Sequence, residues 1–442
     1  MSNRVLEGQL SISGDSALSR KAREVAETAQ RAGGRALLVG GYVRDALLGL
    51  DPKDADVEIY GIEAAALRKL LNRLGRVNCV GESFRVYKLV WHESDERYEL
   101  DVSLPRHDRK VGSGHRGFEV EGDPFATVED AARRRDFTVN AVMWEPLSGE
   151  IIDPFGGRTD LENRVLRAVD AAHFAEDSLR VLRAMQFAAR FEMTVEPQTV
   201  ELCRSIDLSD LPRERIWGEW EKMLLKAKRP SIGLRTAQQL RVLEKLFPEL
   251  RAAMMHQAES LCATLDAAAG ERDGLSVPQQ IALMLAAMGV FLEREESAAK
   301  RASEKLLDQF GVWTLNGYDV RAQVLPLVEC AMTPAEWFER RNEISDGDVR
   351  RLAGKCEPIL LWKLARSFGQ REAAAWLEKR MRALGVESGP PAPLLMGRHL
   401  LEMGLKPGPR IGEITRAVYE MQLDGTVSTL DEALSAARKL TK

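Results

Sequence analysis

The chain has little of what marks several large protein classes. Its five cysteines (Cys79, Cys203, Cys262, Cys330 and Cys356) are scattered, odd in number and never spaced CxxC. That argues against a disulfide framework or a zinc site, and they read as buried reduced thiols. Its six histidines do not cluster: His256 stands alone, and His92, His173 and His399 have no evident partner. No stretch approaches the roughly 18 uninterrupted apolar residues of a membrane span. The opening MSNRVLEGQLSISGDS lacks an apolar signal core, so a cytoplasmic protein without membrane contact is expected. A basic excess is missing too, since 63 Lys and Arg against 67 Asp and Glu leave a net charge of −4. A uniformly basic nucleic-acid binder is thereby excluded, but a local basic track is not. Residues 213–245 carry nine Lys/Arg against four acids, and Arg133, Arg134 and Arg135 form a second cluster.

What is there is ordinary for a globular protein: 442 residues, 45% hydrophobic and 29% charged. That length leaves room for roughly two to four domains. The apolar rhythm of residues 17–32 predicts an amphipathic helix stopped by Gly33 and Gly34. ALLVGG then reads as a buried strand, and YVRDALLGL as a helix starting at the glycine pair. DADVEIYG, RVYKLVW and YELDVSL are strand-like, with GIEAAALRKLLNRLG a helix between them. From about residue 159 the pattern becomes almost wholly helical, with breaks at LPRER, KRPS, FPEL and ESGPPAP. The expected fold class is α+β: a mixed-sheet head followed by helices.

The densest chemical pattern is Gly40-Gly41-Tyr42-Val43-Arg44-Asp45, followed by Asp54-Ala55-Asp56. Glycines at a strand-to-helix turn let the backbone approach phosphates, and Arg44 can reach a triphosphate oxygen. Asp54 and Asp56, at i and i+2 on a strand, would point both carboxylates to one face. Hard oxygen ligands so placed suit Mg²⁺, with substrate phosphates completing its shell. Two such ions can activate an attacking hydroxyl and neutralise leaving pyrophosphate. Asp101, on the neighbouring strand, is a candidate third carboxylate.

LVGGYVRDALLGLDPKDADVEIYG, ARRRDFTVNAV (132–142), IIDPFGGRTDLENRVLRAV (151–169) and FAEDSLRVLRAMQFAARF (174–191) together resemble the class II tRNA nucleotidyltransferase and bacterial poly(A) polymerase family. The tail PLLMGRHLLEMGLKPGPRIGEI is similar to the end of many bacterial members. The resemblance implies a polymerase-β-like nucleotidyltransferase head (1–158), a helical neck (159–248), a helical body (249–388) and a tRNA-binding tail (389–442). It implies template-independent addition of C and A to tRNA 3′ ends from CTP and ATP, with tRNA as partner and no obligate protein partner. Arg135 and Asp136 match the block that holds the ribose in the family.

Asp177 and Arg180, three apart on an expected helix, would share a face. Asp only accepts hydrogen bonds and Arg only donates them, which matches the amino group and adjacent ring nitrogen of both cytosine and adenine. Uracil and guanine present the reverse pattern. Arg183 would continue this face toward the triphosphate, whereas Gln186 stands where many members have a further Arg. RKVGSGHRG (109–117) has the composition of a mobile loop, whose full length favours complete CCA addition over CC alone. His107 and His115 read as RNA or solvent contacts. The body lacks the His-Asp pair of the hydrolase domain found in some relatives, having Ala286 and Ala287 instead. An A-adding enzyme or poly(A) polymerase, then a CC-adding enzyme, are the enzymatic alternatives; a non-catalytic RNA binder and a small-molecule nucleotidyltransferase stand further off.

Overall fold

The computed structural model describes residues 16–52, 54–80, 86–93, 95–110 and 118–441, with backbone alone at 80, 106–110 and 118–121. The chain forms two compact units, Met1–Pro212 with Gln239–Val242, and Arg213–Gln238 with Leu243–Lys442. This division falls inside the stretch read as a neck. The helix Leu179–Phe191, which carries Arg180, packs on strands of the first unit, whereas Arg213–Lys226 packs on Val277–Gly289 and Glu296–Phe310 in the second.

The first unit opens with α1 (Ala17–Arg31), whose apolar stripe buries Ala22, Val25, Ala26 and Ala29. It stops at Gly33, whose φ of +83° suits glycine. There follow β1 (Arg35–Val39), α2 (Gly41–Leu47), β2 (Asp56–Tyr60), α3 (Ala64–Leu71), β3 (Arg76–Val80), β4 (Val86–Glu93) and β5 (Glu96–Ser103). After β6 (Arg106–Lys110), β7 (Phe118–Gly122) and α4 (Val128–Arg133) come β8 (Met143–Trp144), β9 (Ile151–Ile152) and α5 (Gly157–Glu162). β10 (Val165–Leu166), α6 (Ala171–Ala175), α7 (Leu179–Phe191), β11 (Thr194–Val195) and α8 (Pro197–Ser205) complete it.

Among the described residues the main sheet has seven strands in the order β3-β4-β5-β2-β1-β8-β9. β2 and β5 run parallel and the other neighbours antiparallel, so the sheet is mixed as expected. Alternation divides its central strands cleanly. Leu38, Val57 and Ile59 join α1 and α3 in one core, while Leu37, Val39 and Tyr60 join Ala131, Ala132, Ala141 and Met143 in another. The catalytic candidates lie on the second face.

The structure adds elements that the sequence reading missed. β3 forms the sheet edge, and it leaves Cys79 exposed while the other four cysteines are buried. β6 pairs with β7 from Arg106↔Gly122 to Lys110↔Phe118. Residues 109–110 therefore belong to a paired arm rather than to the expected loop. Positions 111–117, with His115, lie outside the described residues.

The second unit is helical apart from a two-residue hairpin, Thr314–Leu315 with Tyr318–Asp319. Its helices restart at prolines, with Pro230, Pro248 and Pro358 each opening one. Trp217, Trp220, Phe247 and Phe310 pack edge-on and tilted at its centre. Gly397–Glu402, Pro409–Leu423 and Leu430–Thr441 close around a small core that includes Leu400, Ile414, Val418 and Ala433. Among the described residues no helix is long and apolar enough to cross a membrane.

Candidate active site

β2 carries Asp56, Glu58 and Tyr60 on one face, the face of Val39 and Leu37 opposite them on β1. On its other side Asp56 is in register with Asp101 of β5, and Asp101 with Lys88 of β4. Asp54 departs from the expected placement. The strand begins at Asp56, so Asp54 precedes it, although the Asp101 N–H still bonds the Ala55 carbonyl at 3.2 Å. Asp54 stays close enough for its charge to act on Asp56. Partial burial pushes the Asp56 carboxyl up and Arg135 pulls it down; Asp101, Glu58 and Asp54 add to the upward push.

The glycine turn meets this row. Gly40 has φ +68° and ψ −133°, and a methyl group there would stand 3.0 Å from Arg135 Nη1 and 3.8 Å from Asp56 Oδ2. Backbone, guanidinium and carboxylate thus converge where the sequence reading placed the nucleotide. Gly41 is less constrained, since its Cβ would lie 3.4 Å from Arg44 Nη2. Arg135 is held from the sheet, its Nη2 donating to Glu58 Oε1 at 2.6 Å.

Arg44 and Asp136 are placed more deeply than the sequence suggested. Arg44 is 5% exposed, and its guanidinium bonds Asp45 Oδ1 and, at 2.7 Å, Asn140 Oδ1. It lies over the rings of Phe187 and Phe191, 5.1 and 4.3 Å from their centroids. Arg183 stacks over Phe187, one turn further along the same face of α7, and Arg190 over its neighbour Phe191. Arg44 thus braces Asp45 and Asn140 from inside the fold. Asp136 is also buried: Oδ1 accepts from the Phe137 amide and Asn140 Nδ2, and Oδ2 from Arg183 Nε at 2.7 Å. Burial alone would push its carboxyl up, but Arg183, Asn140 and Arg180 outweigh this and hold it low. Arg183, expected to reach for a triphosphate, is tied to Asp136.

Asn140 was not singled out in the sequence, yet it joins two motif blocks by taking Arg44 with its oxygen and Asp136, of its own block, with its nitrogen. Only its place within RRDFTVNA could have flagged it. The IIDPFGG block supports the same segment. Asp153 caps the Gly157 and Arg158 amides, Thr138 Oγ1 donates to Asp160, and a Cβ on Gly157 would strike the Thr138 carbonyl at 2.1 Å.

Asp177 and Arg180 are brought together, but not on one helix. α7 begins at Leu179, and Asp177 precedes it, its Oδ1 accepting the Leu179 N–H at 3.1 Å. A helix start leaves amides without partners, and an aspartate just before it satisfies one. Arg180 donates Nη1 to the His173 carbonyl and Nη2 to that of Arg134, both at 2.7 Å, leaving its other N–H groups for a ligand. His173, expected to lack a partner, has Glu176 at 3.3 Å, and His399 accepts the Met396 amide. Gln186 is 1% exposed with Nε2 unpartnered, so this position faces the interior.

The acidic row fits a divalent cation. Asp101 Oδ1 is buried without a hydrogen-bond partner, its nearest cation being Lys88 at 3.7 Å. Among the described residues no three potential metal ligands close a cage. An ion that relies on one or two carboxylates plus substrate oxygens, as Mg²⁺ does, needs none.

Known proteins resemble this chain in parts of its sequence and in its fold. Residues 36–167 match the family model of the Poly A polymerase head domain, and residues 192–254 that of the probable RNA and SrmB-binding site of polymerase A. The multifunctional CCA protein of Stenotrophomonas maltophilia is 40% identical over 222 residues, 49% of this chain and 52% of its own. That of Haemophilus ducreyi is 39% identical over 249 residues, 55% and 57%. The match thus spans about half the length of these relatives. A Thermotoga maritima CCA-adding enzyme complexed with tRNA has the same fold at 21% identity (TM-score 0.65, 99% of both chains). So does the Bacillus stearothermophilus CCA-adding enzyme in complex with CTP, at 21% identity (TM-score 0.67, 96% of this chain and 99% of that one).

Fold and site together define a nucleotidyltransferase head carrying helical domains. Residues 36–167 match the polymerase head and the chain is similar to multifunctional CCA proteins over about half its length, a likeness that implies dependence on a divalent metal.

Proposed function

We propose that this protein adds C and A nucleotides to the 3′ end of tRNA from CTP and ATP, without a nucleic-acid template, in the cytoplasm. The terminal 3′-oxygen bonds to the α-phosphorus as the bond to the β-phosphate oxygen breaks, so pyrophosphate leaves and the hydroxyl proton passes to solvent. The observation that carries this reading is the convergence of Arg135 Nη1 and Asp56 Oδ2 on the open side of Gly40. The match to the Poly A polymerase head, over residues 36–167, covers the part of the chain that holds it.

Asp54 and Asp56 would hold two Mg²⁺ ions, with Asp101 as a third carboxylate, and bound metal supplies charge neutralisation at the attacking and leaving oxygens. Gly40 lets the backbone approach the nucleotide. Arg135 supplies the guanidinium that meets ribose or phosphate, while Asp136, Asn140, Arg44 and Arg183 fix its surroundings. Asp177 and Arg180 offer acceptor and donors to the Watson–Crick edge of C or A. The wrong base leaves buried polar groups unmatched, at about 1–3 kcal/mol each. The basic stretch 213–245 and the tail are the sources of RNA affinity in this reading.

The test is to supply tRNA ending at its discriminator base with single nucleotides and with mixtures, then sequence the 3′ ends. CTP alone should add two C residues, and CTP with ATP a complete CCA. Runs of A from ATP alone would favour the A-adding or poly(A) alternative. Absence of incorporation with every nucleotide would overturn the proposal.

A further inference from the structure

The acidic face of β2 holds a residue with no part so far in metal or nucleotide binding. Glu58 lies two positions from Asp56 on the same face of the strand. Both its oxygens are occupied: Oε1 accepts Arg135 Nη2 at 2.6 Å, and Oε2 accepts the Tyr60 hydroxyl at 2.9 Å. The Tyr60 ring is 8% exposed and packed in the core of the sheet, so the carboxylate is anchored from below. Side-chain exposures of 13% for Glu58 and 21% for Arg135 keep the pair partly shielded from water, where such contacts hold best.

Arg135 is short of acceptors. Its Nε is buried without a partner, and its Nη1 lies beside Gly40, where it and Asp56 Oδ2 come within 4 Å of one point. A guanidinium released from Glu58 would find Asp56 as its nearest free carboxylate on this face. Asp101 is farther across the sheet and has Lys88 at 3.7 Å. An ion pair between Arg135 and Asp56 would compete directly with a divalent cation.

We propose that Glu58 is a positioning residue: seated on Tyr60, it clamps Arg135 and so keeps Asp56 open for metal. This rests on the reading of Asp56 as a metal carboxylate. The clamp is tested by direct Mn²⁺ binding, followed by electron paramagnetic resonance of the full-length protein without nucleotide or RNA. Glu58→Gln, nearly isosteric, should weaken Mn²⁺ binding about tenfold, the scale of one charge at close range. Tyr60→Phe, which changes no charge, should weaken it in the same direction but less. Removing the arginine discriminates the clamp from plain loss of charge. Arg135→Gln should strengthen Mn²⁺ binding far more in the Glu58→Gln background than in the native one, returning the double variant close to native affinity. Thermal melting of each variant confirms that it is folded. Unchanged affinity in Glu58→Gln, or an equal gain from Arg135→Gln in both backgrounds, would overturn the clamp. Native protein whose Mn²⁺ binding is indifferent to Asp56→Ala would overturn the metal reading itself, and the clamp with it.

Discussion

Arg183 donates its Nε to Oδ2 of Asp136 across 2.7 Å, and the carboxylate is almost wholly buried. A carboxyl held below its ordinary value of 3.8 stabilises the fold above that value and loses the contribution as pH falls through the lower folded value. The melting temperature should therefore drop on the acid side, below about pH 4. Asp136→Asn should be less stable at pH 7 by roughly 3–5 kcal/mol, since Arg183 loses its buried partner. It should also show a flatter acid limb. Melting curves across pH check both; an acid limb as steep as the native one would assign the effect to other carboxylates.

Asn140 spans Arg44 and Asp136 with one amide. Asn140→Ala orphans the buried Arg44 Nη1 donor and leaves Asp136 Oδ1 with the Phe137 amide, so the expected loss is roughly 1–3 kcal/mol by urea unfolding. Asn140→Asp should be no better, because it sets a second negative charge beside Asp136. A near-neutral Asn140→Ala would show that water replaces the bridge.

Gly40→Ala asks a side chain to adopt φ +68° against Arg135. Strain of this kind costs about 1–3 kcal/mol. Transfer of C and of A should fall together, because the site beside Asp56 serves both, while RNA affinity, carried by basic residues elsewhere, should hold. Single-turnover incorporation paired with filter binding separates the two. Loss of A transfer alone would place Gly40 in base choice rather than in phosphate approach.

Asp177→Ala removes the acceptor proposed to meet the amino group of C and A. A bidentate base contact is worth about 1–3 kcal/mol, so the preference for CTP over UTP should shrink by one or two powers of ten. Competition between the two nucleotides gives the ratio. Equal slowing of all four nucleotides would reduce Asp177 to the capping role it has toward Leu179.

Much of this was legible in the sequence because it is local. The helix at 17–31, the glycine turn, the β2 strand and the proline restarts all follow from short-range periodicity and backbone preference. Asp54 and Asp177 were set on a strand and a helix that begin just after them, since a pattern of residue types does not fix an element's first hydrogen bond. The inward placement of Arg44 and Asp136 was hidden for another reason. Charged residues are read as exposed unless a buried partner is known, and their partners are 96 and 47 residues away in sequence. Glu58 looked like one more polar residue of an alternating strand until Arg135 arrived from beyond β7.

The grip of Arg180 on two main-chain carbonyls bears on how such a protein can change over generations. One of them belongs to Arg134, the neighbour of Arg135, and the other to His173, ahead of α7. Lysine offers a single point of charge and cannot span both, so even this mild exchange would unfasten the chain in two places. A lineage drifting toward another nucleotide alphabet would have to alter Asp177 first and keep Arg180. The two positions would then diverge at very different paces, although both are proposed to face the same base.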